Sequence, residues 1–423
     1  MAVRPPTTPR GQDPTVRTKP PAGPLVALMG PAFVAAIAYV DPGNVAANLS
    51  AGAEFGYLLV WVLVAANVIA MLVQYLSAKL GIVTGRSLPQ LLGERLRRGP
   101  RLLFWGQAEI VAAATDIAEV VGGAIALQIL FGLPLVVGGL IVGAVSMLLL
   151  ATQNRFGQRW FERLISGLLL VIVVGFVAGL FFSPPDWGGV AGGLVPRFEG
   201  SKSVLLAASM LGATVMPHAV YLHSSLTRDR FGSDLPRPLI RRILAGTRAD
   251  VLVALVVAGS VNIAMLLLAA ASLPGVEGTD TIAGAHAAIA HALGPAIGVA
   301  FAVGLLASGL ASTSVGAYAG SAIMGGLLHV NVPLLARRAV TLIPALAILA
   351  VGFDPTLALV LSQVLLSLGI PFAIIPLIAY TSRRDLMGEF ASPRLIRWLG
   401  WAACALIIAL NAALVVLTVT GQA

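Results

Sequence analysis

The chain has 423 residues, of which 58% are hydrophobic and only 11% charged, against about 25% charged in an ordinary soluble protein. Such a composition excludes a water-soluble globular domain and makes the bilayer the main solvent. The net charge of +9 and the pI near 10.4 do not signal nucleic acid, because the basic residues are distributed by topology.

In chain order, residues 1–24 are rich in Pro, Thr and Arg and lack the apolar core of a signal peptide, so they read as a disordered cytoplasmic tail. The rest, 25–423, reads as a single transmembrane domain. A spanning helix needs about 20 mainly apolar residues. About eleven such stretches follow, at roughly 25–54, 57–83, 103–131, 133–152, 163–183, 203–228, 249–273, 295–327, 338–353, 356–380 and 396–420.

With the N-terminus inside, cytoplasmic segments hold 24 of the 27 Lys and Arg residues. Lys79 lies at the inner end of the second stretch, and only Arg197 and Lys202 face outward. The inverted orientation would reverse this asymmetry, so the positive-inside rule predicts a multi-pass protein of the plasma or inner membrane with its C-terminus extracytoplasmic. The single cysteine, Cys404, lies in the last stretch and can form no intramolecular disulfide.

As one straight helix, the first stretch would be about 45 Å long and overshoot a hydrocarbon core of about 30 Å. Inside it stands Asp41-Pro42-Gly43-Asn44. Pro removes a backbone donor, Gly frees the dihedrals, and Asp and Asn are costly in lipid without partners, so a break near the bilayer middle is predicted. The sixth stretch carries a second break, Gly212-Ala213-Thr214-Val215-Met216-Pro217-His218. Corresponding interrupted segments in two halves point to an inverted-repeat transporter with its site at the midplane. Residues 25–183 and 203–380 would be the repeats and 396–420 a peripheral helix. A proline that merely kinks a packed helix is the plainer reading of either break taken singly.

The breaks carry ligand chemistry. Asp41 supplies an anionic oxygen, Asn44 an amide oxygen, and an unwound turn before Asp41 can offer a carbonyl such as that of Ala38. These are hard ligands. Met216 adds a soft thioether, of no use to Mg²⁺ or Ca²⁺ but compatible with Mn²⁺, Fe²⁺, Co²⁺ or Cd²⁺. In the third stretch Glu109, Asp116 and Glu119 are spaced by seven and three, placing them on one helix stripe. Ionisable residues within a membrane mark proton or ion pathways, although pairing of Asp116 and Glu119 with Arg337 and Arg338 would explain them structurally. His218, two residues past Met216, reads as proton-linked, as conformational or as simply hydrogen-bonded. His223 points roughly 140° away from it. His286 and His291, in the connection before the eighth stretch, read as solvated.

Together, Asp41-Pro42-Gly43-Asn44 and Met216-Pro217-His218 resemble the Nramp family of proton-coupled divalent-metal transporters, in its bacterial manganese and iron uptake form. The resemblance covers nearly the whole chain and extends to Glu109, Asp116 and Glu119, to Arg337-Arg338, and to Ser362-Gln363-Val364. It implies an all-α, LeuT-like fold with a 5+5 inverted repeat and broken helices 1 and 6. It also implies import of Mn²⁺ or Fe²⁺ with proton cotransport. The ligand set it implies is Asp41, Asn44 and Met216 by side chain, Ala38 and Ala213 by carbonyl, and Gln363 in some conformations. The implied proton pathway is Asp116, Glu119 and Glu109 with His218, Arg337 and Arg338.

No cofactor, nucleic acid or obligate protein partner is expected beyond metal ions, protons and lipid. Competing readings are a sodium-coupled amino-acid carrier on the same fold, an intramembrane enzyme, and a channel. Asp41 with Met216 argues against the first. The second lacks a His-Glu-x-x-His or Gly-x-Ser-x-Gly motif, and the third favours rings from symmetric subunits. No phosphate-binding loop is present, so transport would draw on gradients or a partner.

Overall fold

The computed structural model describes residues 30–420 apart from Gly157, Asp280 and Asn331. The expected tail at 1–24 and the start of the first stretch lie outside the described residues. Among the described residues the structure is helical throughout, without strands.

The first span is Pro31–Ile37, a 3₁₀ turn Ala38–Val40, then Pro42–Phe55. The second is Val60–Thr84, the third Arg98–Phe131, the fourth Leu135–Phe156 and the fifth Gln158–Val177. The sixth is again in two pieces, Gly200–Thr214 and Pro217–Phe231. Arg237–Ser272, Pro295–Leu328, Leu334–Ala350, Pro355–Thr381 and Arg394–Val419 complete the series as spans seven to eleven. Among the described residues eight spans are long and apolar enough to cross a membrane, the two pieces of the sixth taken together. The other three predicted stretches are the broken first span, the fourth, and the ninth, whose 17 residues sit at the short end for a crossing helix.

Two predicted boundaries move. The seventh helix begins at Arg237, well before the apolar stretch near 249, because hydropathy locates the lipid-embedded part and a helix can continue past it into water. Between spans seven and eight the chain forms a further helix, Ile282–Leu293, N-capped by Thr281. His286 is therefore half-buried, with its Nε2 3.1 Å from the Gly298 carbonyl, rather than freely solvated. His291 is exposed as expected.

Breaking a helix inside a bilayer frees carbonyls that need donors. At the first break Asn262 of the seventh span donates its Nδ2 to the Tyr39 carbonyl at 2.6 Å. Ser308 of the eighth span donates its hydroxyl to the Val40 carbonyl at 2.5 Å. Asn48, one turn beyond the break, donates to Asn262 Oδ1 at 3.0 Å. Proline at the first position of each second half-helix needs no hydrogen-bond acceptor there, so Pro42 and Pro217 restart the helices without cost.

The first half of span one is tied at its N-terminal end. Asp250 of the seventh span accepts from the Gly30 amide at 3.1 Å and from the Ala32 amide at 3.0 Å, capping a helix that has no cap of its own. Arg230, near the end of span six, pairs with Glu162 of span five at 2.5 Å.

Candidate functional site

Asp41 is the N-cap of Pro42–Phe55, and one of its carboxylate oxygens, Oδ1, accepts from the Asn44 amide at 2.8 Å. The same oxygen accepts from Asn44 Nδ2 at 2.7 Å. That Nδ2 also donates to the Ala213 carbonyl, 2.9 Å away at the end of the first half of span six. From span ten, Gln363 Nε2 lies 3.4 Å from Asp41 Oδ2. Residues separated by up to 322 positions thus meet at one point, and Asp41, Asn44, Ala213 and Gln363 are all fully buried there.

Two acceptors in this cluster have no partner: Asn44 Oδ1 and Gln363 Oε1 are buried and make no hydrogen bond. An unpaired buried amide oxygen is costly. A divalent cation would satisfy both, together with the Asp41 carboxylate. Ala38, in the 3₁₀ turn before Asp41, and Met216, the N-cap of Pro217–Phe231, are buried at the two breaks. Among the described residues no three His, Cys, Asp or Glu side chains come together as a metal-binding group.

Glycines let the elements close on this point. The Gln363 side chain occupies the space that a Cβ on Gly43 would need, and Pro42 does the same opposite Gly122 of span three. Small residues that admit close helix approach are the usual device for packing inside a bilayer.

The acidic stripe of span three faces spans eight and nine. Arg338 Nη1 donates to Asp116 Oδ1 at 2.8 Å, with both side chains out of contact with solvent, and Arg338 Nε donates to Ser146 Oγ at 3.2 Å. Arg337 pairs instead with Glu109 at 2.7 Å. The sequence suggested Asp116 and Glu119 as the arginine partners, and only the first is so paired. Glu119 packs against Gly316 of span eight, where a Cβ would come within 3.1 Å of its carboxylate, and its Oε2 has no partner. His218 Nδ1 lies 3.3 Å from Thr115 Oγ1 of span three, and its Nε2 is unpartnered.

Sequence reasoning passed over a second buried polar chain. His223 Nδ1 is 2.8 Å from Gln74 Oε1, and Gln74 Nε2 donates to the Tyr39 hydroxyl at 2.6 Å. It joins spans one, two and six just beside the breaks. Only the rarity of a Gln in an apolar run could have hinted at it.

The conserved-domain description that matches this chain is "Natural resistance-associated macrophage protein-like", over residues 32–417. The chain belongs to the Nramp family. It is 62% identical over 394 residues to the divalent metal cation transporter MntH of Mycobacterium tuberculosis, a match that covers 93% of this chain and 92% of that one. To the Bacillus subtilis protein of the same name it is 45% identical over 399 residues, 93% of this chain and 92% of the relative. A crystal structure of an Eremococcus coleocola manganese transporter mutant superposes with a TM-score of 0.83 at 31% identity, covering 94% of this chain and 87% of the other. The nucleobase-cation symporter Mhp1 superposes at 0.59 with 18% identity over 93% of each chain, which shows that the Nramp chain shares the LeuT-like fold. It is a multi-pass membrane protein with first and sixth helices broken at matching places.

Proposed function

We propose that this Nramp protein is a secondary transporter that imports divalent transition-metal ions, Mn²⁺ or Fe²⁺, into the cytoplasm with accompanying protons. The observation that carries the reading is the buried meeting point of Asp41, Asn44, the Ala213 carbonyl and Gln363, drawn from both broken helices and span ten, with two amide oxygens left unpaired. Such a cluster of neutral oxygens around one carboxylate suits a hard or borderline cation held for passage rather than storage.

In this reading Asn44 changes role. Its Nδ2 now bridges two oxygens that a metal would also want, those of Asp41 and Ala213. A cation arriving there takes the place of that N–H donor, and rotation of the amide presents Oδ1 instead. Met216 and the Ala38 carbonyl complete the shell from the two breaks, and Co²⁺ and Cd²⁺ would also be accepted because the thioether is soft. Alternating access then proceeds by movement of the half-helices around this point.

Protons would travel beside the metal, along Glu119, Asp116 and Glu109 with His218, Arg337 and Arg338. Support comes from buried polar atoms with spare capacity: Asp116 Oδ2, Glu119 Oε2, Glu109 Oε2 and His218 Nε2 all lack partners. The chain would be oriented with its N-terminus in the cytoplasm and its C-terminus outside, a placement that the distribution of Lys and Arg supports. Residues 25–183 and 203–380 would act as the two repeats, with 396–420 at the periphery. No cofactor or protein partner enters this scheme.

Uptake of radiolabelled Mn²⁺ into proteoliposomes, with and without an inward proton gradient, tests the proposal. Entry that rises with the gradient, with acidification of the lumen, is expected. Metal entry indifferent to the gradient removes the proton from the scheme, and no metal entry removes the function.

A further inference from the structure

Away from the Asp41 cluster an apolar groove opens on the surface. It lies between span two, the first half of span six and span eleven, and has a volume of about 310 Å³. Ala207 and Leu211 form its wall on span six, and Leu406 and Ala409 form its wall on span eleven. From Val204 to Leu211 the groove runs about 10 Å along the helix axis, at a rise of about 1.5 Å per residue. Leu406 is 47% exposed, so this side of span eleven faces the bilayer and not the interior of the bundle.

The mouth has a polar rim. Trp61, in the first turn of span two, and Phe198 stack edge to face with ring centroids 5.4 Å apart. The Trp61 indole donates its Nε1 hydrogen to the Arg197 carbonyl at 3.3 Å. Aromatic rings of this kind mark the headgroup level of a bilayer. Arg197 and Lys202 are the two basic residues assigned to the extracytoplasmic side; Arg197 meets Trp61 at this mouth through its carbonyl, and Lys202 stands two residues before Val204 of the groove wall. Lys202 is paired with Glu54 at 2.5 Å. Arg197 is exposed and has no carboxylate partner among the described residues.

We propose that this groove is a binding site for an anionic glycerophospholipid of the extracytoplasmic leaflet, with one acyl chain in the groove and the headgroup phosphate on Arg197. An apolar groove alone would accept any hydrocarbon. The charge at its mouth favours the anionic class, because a zwitterionic lipid offsets its phosphate with its own ammonium and so offers no net charge to the guanidinium. The acyl chain would touch Leu211, two residues before Ala213, so its occupancy bears directly on the half-helix that delivers a carbonyl to the metal site.

The test is native mass spectrometry of the full-length protein released from detergent with equal amounts of phosphatidylglycerol and phosphatidylcholine. The wild-type chain should retain phosphatidylglycerol over phosphatidylcholine by about fivefold, the discrimination that one basic residue near a lipid surface supplies. Arg197→Gln should erase that preference while still retaining lipid. Ala409→Phe, which fills the groove from the exposed side of span eleven, should lower retention of both lipids, and Ala413→Leu serves if that variant does not fold. Thermal unfolding of each variant distinguishes a lost site from a lost fold. Equal retention of the two lipids by wild type, or unchanged phosphatidylglycerol retention in Arg197→Gln and in the groove-filling variant, overturns the proposal. So does a dimer of the chain that Ala409→Phe disrupts while lipid retention stays the same.

Discussion

Gly43 and Gln363 share one volume: the glutamine side chain of span ten lies where a Cβ on the glycine of span one would stand. The fit explains why the Asp41-Pro42-Gly43-Asn44 turn takes no side chain at its third residue, and it makes Gly43 the seat of a proposed ligand. Gly43→Ala should push Gln363 away from Asp41 while leaving the break itself intact, because Gly43 is helical and alanine is favoured there. Mn²⁺ uptake should fall by about tenfold or more, equivalent to about 1.4 kcal/mol, with the melting temperature little changed. Wild-type uptake in this variant would show that Gln363 need not occupy its present position.

Asp41 both caps a helix and supplies the one carboxylate of the cluster. Asp41→Asn keeps a capping oxygen and removes the charge, whereas Asp41→Ala removes both, and loss of an N-cap costs about 1 kcal/mol. Both variants should lose Mn²⁺ binding by calorimetry, and only Asp41→Ala should also lose stability. Wild-type affinity in Asp41→Asn would move the site elsewhere.

Met216 offers the one soft atom of the proposed shell. Met216→Ala should weaken exclusion of Ca²⁺ and Mg²⁺ by about tenfold more than it weakens Mn²⁺ uptake, since the oxygens can still hold a hard cation. Cd²⁺ uptake should suffer most. Competition of Mn²⁺ entry by excess Ca²⁺ is the measurement. Equal exclusion by variant and wild type would reduce Met216 to packing beside a proline.

The Arg338–Asp116 pair allows structure to be separated from proton movement. Arg338→Met strands a buried carboxylate and should destabilise by about 3–5 kcal/mol. The double variant Arg338→Met, Asp116→Leu should recover most of that loss, because an apolar pair can replace a buried ion pair. It should remain defective in luminal acidification during Mn²⁺ uptake, as should Asp116→Asn alone. Normal acidification in both would leave these residues a purely structural role.

Much of the architecture could be read from the chain because lipid imposes a severe rule: long apolar runs must be helices, and Asp41-Pro42 or Met216-Pro217 inside such a run must break it. That Asp41 and Asn44 lie at one break and Met216 at the other followed from two such interruptions, while the Ala213 carbonyl came only with the family resemblance. Gln363 entered by family resemblance, since one Gln in an apolar helix does not reveal which neighbour it faces. For the same reason the Tyr39–Gln74–His223 chain and the donors Asn262 and Ser308 went unseen. Periodicity gives a residue's bearing around its own helix, and its partner depends on how helices distant in sequence are rotated against one another. The exchange of arginine partners, Glu109 for Glu119, has this origin too. The helix Ile282–Leu293 was missed because a run of Ala, Gly and His carries no strong amphipathic signal.

The double use of Asp41 also bears on turnover. A carboxylate that must keep the backbone amide of Asn44 at 2.8 Å cannot give both its oxygens wholly to a cation. If metal binding forfeits the capping bond, about 1 kcal/mol is subtracted from affinity, or roughly a fivefold faster departure when entry is unchanged. On that reading the helix would reclaim its cap as the ion leaves. A carrier gains nothing from a ligand that never lets go, and in the proposed site the restoring force for release would be wound into the same turn of chain that makes the capture.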